Sequence, residues 1–141
     1  MKFNYKKGFT LIELLVVIAI IGILSSIVLA SLNSARDKGS NAKIKANMHG
    51  IRSQADVVYD NNSQDYTNVC SDTNIINAIS SAIIAGGDTG TVVTRCNSNT
   101  SAWAANVLLK TPDSGNPYWC VDSTGEAKSE PVELAGGFVC I

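Results

Sequence analysis

Charge is what this chain has least of: Asp, Glu, Lys and Arg make up 16% of its 141 residues, against roughly 25% in an ordinary soluble domain. The deficit is local. No charged residue lies between Leu14 and Leu32, a stretch of 19 residues whose only polar side chains are Ser25, Ser26 and Ser31. A helix needs about 20 such residues to cross a bilayer, so a purely cytosolic protein is disfavoured. Histidine occurs once, at His49, and no two cysteines stand close enough for a CxxC pair, which leaves no recognised zinc or redox pattern. No nucleophile–base pair, phosphate-binding loop or metal cluster is visible, so neither an enzymatic activity nor a cofactor or metal is expected. The net charge of −1 argues against a strongly basic nucleic-acid binder. The length leaves room for one domain of ordinary size.

What the chain does have is unevenly placed. Residues 1–52 carry eight Lys/Arg against two acids, whereas residues 53–141 carry three against ten. A molecule with a basic end and an acidic end can attract the opposite end of a copy of itself. The four cysteines, Cys70, Cys96, Cys120 and Cys140, all follow the apolar stretch, spaced by 26, 24 and 20 residues. An even number, widely spaced and confined to the polar part, reads as two disulfides made in an oxidising compartment, which places that part outside the cytoplasm. The positive-inside rule does not decide orientation, because Lys2, Lys6 and Lys7 precede the run and Arg36, Lys38, Lys43 and Lys45 follow it.

Along the chain, residues 1–8 form a short basic head, and the apolar run covers 9–32, too long for the core of a removable secretory signal. Between Asn33 and Asp60 the apolar residues become periodic: Ile44, Met48, Ile51, Ala55 and Val58 step by 4, 3, 4 and 3. That draws one stripe down a helix, so residues 33–61 continue the membrane helix and lay one face on a folded head. Gly39 and Gly50 weaken it by roughly 1 kcal/mol each, enough to permit bending or local melting. Asn61-Asn62-Ser63 stops it. A helix from Phe9 to Asn61 would be on the order of 80 Å long, and its exposed part needs lipid or other subunits.

Residues 62–141 read as an α+β head. Ile75, Ile76, Ile79, Ala82 and Ile83 have helical spacing, with Asp72 or Thr73 as cap and Gly86-Gly87 as stop. Strands are expected at the β-branched Thr91–Thr94, along the alternating Trp103, Ala105, Val107 and Leu109, at Tyr118–Asp122 and Ala127–Glu130 around a turn at Ser123–Glu126, and at Phe138–Ile141. Trp103, Tyr118 and Trp119 read as core residues, and His49 as solvent-facing. Asp113-Ser114-Gly115-Asn116 reads as a plain turn, because it lacks the acid density of a calcium loop. Asn61-Asn62-Ser63 and Asn99-Thr100-Ser101 fit the glycosylation pattern without deciding anything.

The informative constellation is Lys6-Lys7-Gly8-Phe9-Thr10-Leu11-Ile12-Glu13 leading straight into the apolar run. Glu13 is anomalous there: a carboxylate in a membrane helix costs about 3 kcal/mol at the bilayer centre and less near its edge, and nothing cationic in the run can pair with it. In these residues the sequence resembles the type IV prepilin family, whose signature is a short basic leader ending in Gly, then Phe-Thr-Leu-Ile-Glu and a hydrophobic helix. The resemblance covers about the first 35 residues. It implies a type IV pilin-like α+β fold, a long amino-terminal helix packed on a small antiparallel sheet.

The resemblance further implies that a prepilin peptidase cuts between Gly8 and Phe9 and methylates the new amine of Phe9. Glu13 would then pair with the freed amine of Phe9 on a neighbouring copy. Implied partners are further copies in a helical filament, the peptidase/methyltransferase, an assembly platform with minor pilins, and the inner membrane before assembly, the head lying outside the cytoplasm and later on the cell surface. Many family members bend this helix at a Pro, whereas the three prolines here are Pro112, Pro117 and Pro131. Four cysteines allow three pairings. Sequential bridges, Cys70–Cys96 and Cys120–Cys140, are favoured because the second would fasten the last strand to the hairpin before it, as terminal bridges do in many pilins. Spacing alone leaves the other pairings open. The functional expectation is a pilus subunit, with two alternatives: a type II secretion pseudopilin, or a membrane-anchored binding protein that never polymerises.

Overall fold

The computed structural model describes residues 8–141; the basic residues Lys2, Lys6 and Lys7 of the expected leader lie outside the described part. Its elements in chain order are helix α1 (Leu11–Asn61), a 3-10 turn (Val69–Ser71), α2 (Thr73–Gly86), α3 (Val92–Arg95), and strands β1 (Cys96–Ser98), β2 (Trp103–Asp113), β3 (Asn116–Asp122) and β4 (Ala127–Glu130). The architecture is α+β, a long amino-terminal helix and a four-stranded antiparallel sheet in the order β1-β2-β3-β4. Within α1 the described chain divides into two units, the first ending at Arg36 and the second running from Asp37 to Ile141. α1 is helical through both Gly39 and Gly50.

In the first unit the run from Leu11 to Leu32 buries none of its large apolar side chains. It is long and apolar enough to cross a membrane.

The second unit has one core. Ile44, Met48, Ile51 and Ala55 of α1 join Ile75, Ile79 and Ala82 of α2 against Trp103, Ala105, Val107 and Leu109 of β2 and Val121 of β3. The stripe expected from the 4-3-4 spacing is the buried stripe, with Val58 packed at its edge. α2 starts where Asp72 accepts the N–H groups of Asn74 and Ile75 and ends at Gly87, whose φ of 69° supplies the left-handed cap. Gly86 lets the end of α2 meet β2, since a β-carbon there would collide with the Leu108 carbonyl.

An amide and a salt bridge tie α1 to the sheet. Between Leu108 and Asp113 the β2–β3 register shifts, which frees backbone groups of β2. Asn41 takes them: its Oδ1 accepts the Lys110 N–H at 2.8 Å and its Nδ2 donates to the Thr111 carbonyl at 2.8 Å. Nearby, Lys45 bridges to Asp113 and lies 4.2 Å over the Trp119 ring.

Two expected strands are absent. Thr91–Thr94 instead opens α3, because Thr91 and Thr94 form a reciprocal capping box that outweighs the β preference of the branched residues. Phe138–Ile141 pairs with no strand: the N–H groups of Cys140 and Ile141 donate to the carboxylates of Asp122 and Glu130 rather than to a backbone. The turn at Ser123–Glu126 joins β3 to β4 as expected, and β2 runs on to Asp113 beyond the alternating segment.

Those carboxylates explain a further departure. Residues paired across antiparallel strands share a face, so Ala104, Asn106, Cys120, Asp122 and Glu130 lie on the side away from the helices. Alternation predicts that face to be wet, yet Ala104, Asn106, Asp122 and Glu130 are all buried. The carboxy-terminal segment, 131–141, covers it without secondary structure, held by the Asn106 amide on the Val132 carbonyl, by Asn97 on the Gly137 carbonyl, and by the Cys120–Cys140 bridge.

Candidate functional site

Thr10 is the residue before the first turn of α1, and Glu13 lies within that turn. The Thr10 hydroxyl accepts the Glu13 N–H at 3.3 Å. Glu13 Oε2 in return accepts the Thr10 N–H at 2.8 Å and the Thr10 hydroxyl at 2.7 Å. This is a capping box, in which side chain and backbone satisfy each other's unpaired groups at a helix start. The position also favours a carboxylate, because the helix dipole presents its positive end there. The signal was in the sequence as Thr-x-x-Glu before an apolar run, and reading Glu13 only as a membrane anomaly passed over it.

The box changes how Glu13 is satisfied. One carboxylate oxygen finds its donors within its own chain. The other, Oε1, accepts no hydrogen bond among the described residues. Gly8 and Phe9 precede the helix in irregular structure and are exposed, Phe9 by 87%. Gly8, Phe9 and Glu13 are therefore brought to one helix start, with the bond after Gly8 open to solvent.

The cysteines lie in the second unit. Cys70 is bonded to Cys96, and Cys120 to Cys140. The first bridge joins the 3-10 turn to β1. The second joins β3 to the covering segment, beside Glu130, and its sulfurs are joined to each other rather than available as thiolates. Asp113 of the β2–β3 turn is paired with Lys45.

Two buried acids that sequence reasoning missed hold this head together. Asp122 Oδ2 accepts the Cys140 N–H at 2.7 Å, while Oδ1 accepts the Thr124 N–H, the Thr124 hydroxyl and the Glu126 N–H. Burial opposes its ionisation, but the donations from Cys140, Thr124 and Glu126 outweigh it and hold the carboxyl below its usual range. Asp88 receives Arg95 Nη2 at 2.6 Å, the Gly90 N–H at 2.8 Å and the Leu108 N–H at 3.1 Å. Burial again works against its charge, and the Arg95 guanidinium with those N–H groups keeps the carboxyl low. Arg95 Nη1 lies 2.8 Å from Glu133 of the covering segment, an ionic contact without hydrogen-bond alignment.

Residues 3–29 match the family model described as the prokaryotic N-terminal methylation motif. The chain is 36% identical over 64 residues to type II secretion system core protein G of Klebsiella michiganensis, covering 45% of each chain. It is 43% identical over 58 residues to the type IV wide pilus major component PilA4 of Thermus thermophilus, covering 40% of this chain and 44% of that one. Core protein G of Dickeya chrysanthemi is 36% identical over 59 residues, 42% of this chain and 39% of the relative. The chain thus spans less than half the length of the curated relatives it matches. No solved structure matches it. The chain therefore carries the prokaryotic N-terminal methylation motif on a type IV pilin-like α+β fold, and over stretches of 58 to 64 residues it is similar to type IV pilus and type II secretion subunits.

Proposed function

We propose that this chain is a structural subunit of a type IV pilus-like filament, processed between Gly8 and Phe9 and polymerised through the first part of α1. The observation that carries the reading is a helix apolar on every side, unburied from Leu11 to Leu32, that begins at Gly8-Phe9-Thr10-Leu11-Ile12-Glu13. Outside lipid such a surface is covered only by copies of itself, and the hydrophobic effect drives that covering. Gly22, Ser25 and Ser26 are small enough for close helix packing.

The chemistry at the helix start supports assembly by pairing. Cleavage after Gly8 makes a cation of the Phe9 amine, which the peptidase then methylates without removing its charge. That ammonium on a neighbouring copy pairs with Glu13 through Oε1, the oxygen Thr10 leaves free. Processing thereby creates a cation for the Glu13 carboxylate, which finds none in the apolar run. Before assembly the chain sits once through the inner membrane with its disulfide-bonded head outside the cytoplasm; afterwards it is part of a surface filament. An assembly platform, minor pilins and the peptidase are its partners, and its role is structural rather than enzymatic.

Mass spectrometry of sheared surface filaments tests this. The expected chain starts at Phe9, is one methyl heavier than calculated, and is four hydrogens lighter for its two disulfides. An intact chain from Met1, found only in membranes, refutes the reading. Glu13→Leu should leave the protein in the membrane and abolish filaments; a non-polymerising anchor would be unaffected. A second reading, a short type II secretion pseudopilus, is favoured by similarity to the two core proteins G. It predicts filaments in the periplasm and none on the surface.

A further inference from the structure

We infer that the outward face of α1 in the second unit is a contact between copies of this chain, with neighbours shifted along the helix so that Lys38 of one copy meets Asp56 of the next. The inference rests on the filament reading above and names the surface by which heads would find their register.

The charges on this face are segregated along the helix and unused. Lys38 lies toward its start and Asp56 and Asp60 toward its end, and all three are exposed; Lys43 points to a different side of the helix. None forms an ion pair among the described residues, whose bridges involve only Lys45, Arg95, Asp88, Asp113 and Glu133. The remaining cation of this stretch, Arg52, reaches the β3–β4 turn at Gly125.

The acids, moreover, occupy an unfavourable place. The last turns of a helix carry the negative end of its dipole and favour Lys or Arg. α1 has no basic residue in its last turn and has Asp60 there, with Asp56 one turn earlier. Their field is felt by a neighbour: burial first, and then the charge of Asp56 and Asp60, pushes the Tyr66 phenol above its usual range. A local preference is broken with no compensation inside the chain, which is what a surface completed by a partner looks like.

Geometry selects the partner. Lys38 and Asp56 are 18 residues apart, which at 3.6 residues per turn is about five turns, so both stand on one line down the helix. The line runs about 110° round the helix from the buried stripe of Ile44, Met48, Ile51 and Ala55, along an exposed flank. Parallel copies in register would oppose Lys38 to Lys38 and Asp56 to Asp56. Sliding one copy by about 27 Å, five turns of about 5.4 Å, converts repulsion to attraction. Between the charged ends the face carries exposed Ala42, His49 and Ser53, with Lys45 and Arg52 along its inner edge, so the imidazole of His49 is the bulkiest exposed group that two copies would pack around.

The test is charge reversal in full-length protein, scored as sheared filament per cell. Lys38→Glu and Asp56→Lys should each lower the yield by about tenfold or more, and the double variant should regain most of it. Neither side chain touches the core, so detergent-extracted variants should unfold no lower than the wild-type temperature, Asp56→Lys slightly above it. A zero-length carbodiimide should also link Lys38 to Asp56 between copies in wild-type filaments. That crosslink with rescue by the double variant supports the inference. Undiminished filaments from both single variants, or folded single variants whose loss the double variant does not relieve, overturn it. Wild-type cells without filaments overturn it together with the filament reading, so the two failures are distinguishable.

Discussion

Replacing Asp122 by Asn keeps the shape of a buried side chain and removes its charge. Four donations converge on this carboxylate, three on Oδ1 and one, from Cys140, on Oδ2. An amide nitrogen must take the place of one oxygen, and either choice leaves at least one buried N–H facing another donor. An unsatisfied buried N–H costs about 1–3 kcal/mol, and the surviving bonds lose their charge assistance. Together the loss is about 2–4 kcal/mol, which in a domain near 100 residues lowers the melting temperature on the order of 10–20 °C.

The pH dependence makes the argument refutable. The folded Asp122 pKa lies below the unfolded value, so its contribution is present above about pH 4 and is lost as pH falls through the folded pKa. Asp122→Asn should therefore be far less stable than wild type at pH 7, and the gap should close toward pH 2. Asp88 titrates in both proteins and cancels in the difference. Trp103 is 1% exposed and reports unfolding by fluorescence in detergent. A gap that stays constant from pH 7 to pH 2 would mean that the charge of Asp122 does not hold the covering segment.

Two further outcomes follow from the same geometry. Changing Cys120 and Cys140 together to Ser opens a loop of 20 residues, worth about 3 kcal/mol in the chain-entropy model; limited proteolysis should then cut first within 131–141. Thr10→Val removes the hydroxyl of the capping box and should weaken the first turn of α1 by about 1 kcal/mol, read as faster amide exchange of Ile12, Glu13 and Leu14 in micelles.

How much of this was legible depends on whether a feature is local. The buried stripe of α1 and the span of α2 follow from spacing and caps, because Asp72 and Gly87 act on residues within a few positions of themselves. Thr91–Thr94 misleads for the same kind of reason: β-branched residues suggest a strand, but a Thr-x-x-Thr box spanning four residues outweighs that preference. The Thr10–Glu13 box was equally local and was available to inspection. Asn41, by contrast, answers a register shift 69 and 70 residues away. No pattern around Asn41 announces that shift.

The sequence by itself determined helices α1 and α2, the apolar run and the Gly8–Glu13 constellation, because periodicity, caps and a charge among apolar neighbours are properties of short stretches. Tertiary structure alone decided that Asn106, Asp122 and Glu130 are buried, that residues 138–141 form no strand, and which cysteines join. These depend on the carboxy-terminal segment folding back over the far face of the sheet. Whether a polar side chain is wet or buried is set by what lies on top of it, and that cover comes from a distant part of the chain.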